Sequence, residues 1–337
     1  MGDIIINNLL SPFVLMFLLG IIAALVKSDL KIPTSISDGL SMFLLIAIGL
    51  KGGIALSQYP ISSILAPISG ALAIGLSIPL VVLVVTKWMK LDIANSVGLA
   101  ASFGSVSIVT YGAAISFLEN SNVMYEGFMN ALVVLMESPA IIISIFLYKV
   151  LEKNDSLSLS NTSIAFSSPN TRFIDKEVIR ESFLSKSVLL LVGSLLIGFM
   201  TAETAMPIVK PLFFDLYNGV LILFLLNMGL IAGERISEIK KHGIGLVLLA
   251  VLLPLLFGSL GVLIGHLVGL SVGGATLMGV LAGSASYIAA PAALKTSVPK
   301  ANPSIYLGLS LGITFPFNLL IGIPIYYELA KWVVQGG

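Results

Sequence analysis

Long apolar segments follow one another along almost the whole of this 337-residue chain, and no other feature restricts its fold as severely. A hydrophobic stretch of roughly 17 to 25 residues can cross a bilayer as a helix. That ruler marks ten segments, at 9–27, 34–57, 62–87, 92–118, 123–149, 184–204, 212–233, 243–270, 272–296 and 303–331. Composition agrees: 57% of the residues are apolar and only 10% charged, against about a quarter charged in soluble domains. The expected fold is therefore an all-α polytopic membrane protein with ten transmembrane helices. The absence of cysteine excludes disulfides, a thiolate nucleophile and a cysteine metal site. Met1-Gly2-Asp3 lacks the basic region of a signal peptide, so the start is expected to be mature sequence.

Basic residues give the orientation, because cytoplasmic loops are enriched in Lys and Arg. With the N-terminus outside, fifteen of the eighteen Lys and Arg fall on the cytoplasmic side, Lys210 and Lys331 fall outside, and Lys51 lies within a span. Both termini are then expected outside, in a multi-pass protein of the plasma (inner) membrane. Residues 154–171 form a polar tract too poor in large apolar groups to build a core. The chain divides into a first five-helix repeat at 1–150, a flexible cytoplasmic linker at 151–183 and a second five-helix repeat at 184–337. Five spans per half require the halves to face opposite ways.

The halves share sequence. Gly104-Ser105-Val106-Ser107, then Gly112-Ala113-Ala114, recurs as Gly283-Ser284-Ala285-Ser286, then Pro291-Ala292-Ala293, at an offset of 179. Leu45 to Gly53 parallels Leu225 to Gly233 at 180, and Tyr125-Glu126-Gly127 parallels Tyr306-Leu307-Gly308 at 181. Three ordered matches at a nearly constant offset mark inverted repeats, a common transporter plan in which broken helices build a midplane site. Broken helix is tolerated in a membrane only where protein or a water-filled cavity satisfies the freed backbone groups. Gly104, Gly112, Gly283 and Pro291 loosen helices 4 and 9, while Ser105, Ser107, Thr110, Ser284 and Ser286 supply hydroxyls. Amides freed at a half-helix N-terminus favour a small anion. One cluster alone fits a packing seam whose hydroxyls bond back to their own helix; the matched pair fits a substrate site.

Charge inside the membrane is costly and usually functional. Glu137 lies in helix 5 two residues before Pro139, and Asn318 in helix 10 two residues after Pro316. Carboxylate and amide beside proline breaks suit cation coordination or protonation, and Ser107 and Ser286 are candidate partners in holding the coupling ion. Lys51 is expected to snorkel to the outer interface. Neither histidine has a second at ligand spacing, so no metal site is expected, and neither sits at a span centre beside a serine, as a hydrolase would need.

The stretch Ser284-Ala285-Ser286-Tyr287-Ile288-Ala289-Ala290-Pro291, continuing through Val298-Pro299-Lys300-Ala301-Asn302-Pro303-Ser304, resembles the ninth-helix motif of the cyanobacterial sodium-dependent bicarbonate transporter family. Gly104-Ser105-Val106-Ser107, Tyr125-Glu126, Glu137-Ser138-Pro139-Ala140 and Met228-Gly229 with Arg235-Ile236 extend the resemblance over essentially the whole chain. It implies inward bicarbonate transport driven by sodium, a homotrimer with gate and core domains, and a PII-like cytosolic regulator. It carries over Ser107, Thr110, Ser284 and Ser286 to the anion site and Glu137 to the family's aspartate position. Where the family pattern has an aspartate after the third serine this chain has Tyr287, which offers a phenolic hydroxyl or an aromatic wedge; Ala289, Ile108-Val109 and Ile231 also replace polar residues. A sodium- or proton-coupled permease for another small organic or inorganic anion, or a channel or sensor on the same fold, fits the same residues. Neither an enzyme nor a nucleic-acid partner is expected.

Overall fold

The computed structural model describes residues 2–158, 186–239 and 243–336, and among these every regular element is helical. The helices are α1 (Gly2–Leu9), α2 (Pro12–Leu25), α3 (Thr34–Leu56), α4 (Ile61–Trp88), α5 (Ile93–Gly104), α6 (Ile108–Asn120), α7 (Met129–Ser158), α8 (Lys186–Thr201), α9 (Tyr217–Ile239), α10 (Ile244–Leu267), α11 (Val272–Gly283), α12 (Ala289–Ser297) and α13 (Pro303–Gln335). Their starts carry local signals. Ser11, Asp92, Ser107 and Ser271 each cap a helix by accepting an amide of its first turn, and Pro12 and Pro303 occupy a first helical position, where no N–H is needed.

Among the described residues, seven stretches are long and apolar enough to cross a membrane. The difference from the ten expected segments has physical causes. Pro12–Leu25 and Val272–Gly283 are shorter apolar helices, and the expected segments 184–204 and 212–233 lie in one 50-residue helical stretch, Lys186–Arg235. Two further boundaries move. The fifth expected segment begins at Met129 rather than at 123, because Glu126 stays outside the helix and accepts the Ser271 N–H at 2.7 Å and the Ser271 hydroxyl at 3.0 Å. At its other end α7 continues through Ser158, so only residues 151–158 of the expected linker are described and 159–183 lie outside the described residues.

Two crossings hold one part of the bundle. α2 packs on α9 and α3 on α8, both through glycines. A Cβ on Gly229 would collide with the Phe17 carbonyl, and one on Gly53 with the Leu195 carbonyl, so backbone lies directly on backbone. Around a second centre α4, α5 and α7 pack together, and so do α10, α11 and α13. α13 widens into π-helical turns at Ser310–Thr314 and Asn318–Gly322, on either side of Pro316. A proline within a helix removes one backbone donor and crowds the preceding turn, and a wider turn absorbs both effects. Lys51 points its Nζ over the ring of Tyr217, 4.3 Å from the centroid, with Phe214 at 5.2 Å; the aromatic faces, rather than the interface, receive the charge.

Candidate functional site

The two duplicated motifs fall where the chain leaves helical geometry. α5 stops at Gly104 and α6 starts at Ile108; α11 stops at Gly283 and α12 starts at Ala289. Ser105 (φ −88°, ψ 163°) and Ser284 (φ −88°, ψ 169°) take nearly the same extended conformation. Glycine precedes each because no side chain fits: a Cβ on Gly104 would strike the Pro79 ring, and one on Gly283 would lie 2.8 Å from the Pro254 carbonyl.

The breaks are joined to each other. The Ser107 N–H donates to Ser284 Oγ at 3.0 Å, and the Ser286 N–H donates to the Ser102 carbonyl at 2.7 Å. Ser107 Oγ accepts the Thr110 N–H at 3.2 Å and the Thr110 hydroxyl at 2.8 Å, while Ser286 Oγ accepts the Ala290 N–H at 3.2 Å. Ser105 Oγ donates to the Glu137 carbonyl at 3.0 Å. Asn318 Nδ2 donates to the Gly283 carbonyl at 2.8 Å, and its Oδ1 lies 3.0 Å from the Tyr326 hydroxyl, which also reaches the Pro254 carbonyl at 2.9 Å. Buried polar groups without water must find such partners, and here part of the freed groups of each break find them in the neighbouring helices.

These bonds sort the nine residues singled out from the sequence. Ser107, Glu137, Ser286 and Tyr287 line one cavity; Gly104, Ser105, Thr110, Ser284 and Asn318 stand behind it and hold the backbone. Glu137 is 2% exposed, and its Oε2 has no hydrogen-bond partner. The Tyr287 hydroxyl lies beside the Ser107 side chain, and its ring meets Phe315 edge to face at 5.4 Å. Ile108 and Val109 also face the cavity, and their first-turn amides have no partner within α6. The rest of the wall was not singled out from the sequence as part of a site: Ser41, Leu44 and Leu45 from α3, Ser187 from α8, Val106 and Ile288. Nothing local marks Ser41, Leu44 or Ser187. In this state the cavity admits a water-sized sphere over about 20 Å³, enough for a single water or bare ion.

A chain whose described elements are all helical, with this many apolar spans and with two helix ends meeting beside a buried carboxylate, is a multi-pass membrane protein. The model of the Na+-dependent bicarbonate transporter superfamily matches residues 12–331, and the chain belongs to that family. The family is one of transporters and not of enzymes, so the chain is a transporter. No curated protein matches the sequence.

Proposed function

We propose that the protein is a secondary active transporter, a symporter that carries bicarbonate inward with sodium and binds the anion between the two helix breaks. The observation that carries this reading is the single cavity in which Glu137 meets residues of both breaks. The N-termini of α6 and α12 offer partial positive charge and free amides to an anion. Glu137 Oε2, with the Ser107 and Ser286 hydroxyls, offers oxygen ligands to a sodium ion, which as a hard cation prefers them, or a site for a proton. Thr110, Ser284 and Asn318 act by fixing these groups in place.

In this reading ten spans form two inverted five-helix repeats, with both termini outside the plasma membrane and the linker 151–183 inside. The packing supports the inversion. Under the offset of about 180 residues the α2–α9 crossing exchanges with α8–α3, and the α4–α5–α7 group with α10–α11–α13. The glycine seams exchange too, Gly229 with Gly49 and Gly233 with Gly53. A homotrimer and a PII-like cytosolic regulator belong to the same proposal.

Uptake of labelled bicarbonate into proteoliposomes with and without an inward sodium gradient tests the reading. Saturable, sodium-dependent uptake that Glu137→Gln abolishes is expected; absence of saturable uptake for any small anion would sink it. A second reading, a permease for a small organic anion coupled to protons or sodium, is favoured by the apolar wall of Leu44, Leu45, Val109 and Ile288. Competition by short-chain carboxylates, with the dependence of uptake on sodium and on pH, separates the two.

A further inference from the structure

A second cavity, of about 250 Å³, lies between α1, α2, the end of α6 and α13. Its polar wall is Asn7, Asn8, Ser11, Asn120 and Ser121, with no charged side chain among the described lining residues. Asn8 is buried and anchored, its amide donating to the Leu319 carbonyl at 2.9 Å and the Leu320 carbonyl at 3.2 Å, both within the second π-helical turn of α13. The apolar side of the cavity includes Phe13 and Val14 of α2 and Leu319 of α13.

Those residues stand one helical turn from a column of rings. Phe17 follows Phe13 by four positions on α2, and Phe315 precedes Leu319 by four on α13, so each shares a face with a cavity-lining residue. The Phe17 and Phe315 rings meet edge to face at 5.3 Å, and Phe315 meets Tyr287 at 5.4 Å. Tyr287 in turn lines the cavity that holds Glu137. The antiparallel run of α2 and α13 thus sets out one sequence of layers: polar cavity, two phenyl rings, tyrosine ring, carboxylate cavity. Phe17 and Phe315 are fully buried, and neither offers a polar atom to a passing ion.

We propose that the Asn/Ser-lined cavity is the outer mouth of the substrate route, a waiting site for a small, partly hydrated monovalent anion, and that the Phe17–Phe315–Tyr287 column is the barrier between it and the transport site. Uncharged amides and hydroxyls replace hydration water without holding the ion tightly, which suits a place of passage. The inference rests on the proposed orientation with the N-terminus outside.

The chain contains no cysteine, so single cysteines report without a background to remove. Ser11→Cys is treated in whole cells with the membrane-impermeant thiol reagent MTSET, and Ser41→Cys, in the inner cavity, with external silver ion. The expected results are modification of Ser11→Cys from outside with loss of uptake, protection by bicarbonate, and no modification of Ser41→Cys. Adding Phe315→Ala should then expose Ser41→Cys to external silver. Phe315→Leu, which keeps an apolar side chain and loses the ring edge, provides the same comparison if the alanine variant does not fold. Modification of Ser11→Cys only in inverted vesicles would overturn the orientation, and the outer mouth with it. External modification that leaves uptake intact, or a Ser41→Cys response that both Phe315 variants leave unchanged, would overturn the route while leaving the transporter reading standing.

Discussion

Asn318 offers the sharpest test of how the helix breaks are held. Both ends of its amide are engaged: Nδ2 with the Gly283 carbonyl at 2.8 Å, and Oδ1 with the Tyr326 hydroxyl at 3.0 Å. Asn318→Leu keeps the volume and removes both bonds. The Tyr326 hydroxyl retains the Pro254 carbonyl at 2.9 Å, so only the Gly283 carbonyl is orphaned. One buried unpaired polar group costs about 1–3 kcal/mol, which corresponds to an unfolding constant raised about 5- to 150-fold. The measurement is the thermal unfolding of purified protein in detergent, paired with sodium activation curves in proteoliposomes. The expected outcome is a lowered midpoint and a lowered maximal uptake rate, with the sodium concentration for half activation unchanged. An unchanged midpoint with a displaced sodium curve would refute this reasoning and make Asn318 an ion ligand.

Ser284→Ala leaves the buried Ser107 N–H without its acceptor and should cost about 1–3 kcal/mol, slowing uptake although Ser284 does not face the cavity. Gly53→Ala places a Cβ against the Leu195 carbonyl and 2.6 Å from the Phe199 nitrogen; overpacking should destabilise by about 1–3 kcal/mol. Gly193→Ala meets nothing within 4 Å and should stabilise its helix by roughly 0.5–1 kcal/mol, so opposite shifts in thermal midpoint are expected from the same chemical change. Glu126→Ala removes the carboxylate that accepts the Ser271 N–H and hydroxyl; about 1.5–3 kcal/mol of stability should go with it, and Glu126→Gln should recover part.

The places of the apolar segments were legible in the sequence because segment length against bilayer thickness is a one-dimensional property; their number was not, for ten spans were expected and seven stretches among the described residues are long enough to cross. The breaks were legible for a related reason, since glycine and serine clusters are conspicuous where everything else is Leu, Ile and Val. Which face of a helix points inward was not. Lipid is as apolar as the protein interior, so exposed Leu15, Leu19 and Ile22 and buried Val14 and Phe17 have the same character along α2. For that reason Ser41 and Leu44 drew no notice, Leu45 was marked only by the repeat, and the pairing of Phe17 with Phe315, which are almost 300 positions apart, was not seen. The start of α7 was misjudged because Val123, Met124 and Tyr125 count as apolar while Glu126 belongs to the Ser271 cap.

The division of labour among the contacts bears on how the site could open. The bonds that fix the breaks run inside one group of helices: Ser107 to Ser284, Ser286 to Ser102, Ser105 to the Glu137 carbonyl, Asn318 to Gly283, and Thr314 to the Ala250 carbonyl at 2.7 Å. A second group, α2 with α9 and α3 with α8, is held by glycine seams where backbone touches backbone. Both kinds of contact are short-ranged and lose their energy with a small displacement, so each group resists deformation within itself. The cavity lies where the groups meet, with Ser41, Leu44, Leu45 and Ser187 on one side and Ser107, Glu137, Ser286 and Tyr287 on the other. Apolar side chains make up much of that boundary, and sliding one apolar surface over another exchanges contacts of similar strength, while the hydrogen bonds that cross between the groups include those of Ser116 to Asn218 and of Asn8 to the Leu319 and Leu320 carbonyls. A movement that widens the 20 Å³ cavity to admit the proposed anion therefore meets least resistance along this boundary, carrying both breaks, Glu137 and Asn318 as one body past α3 and α8.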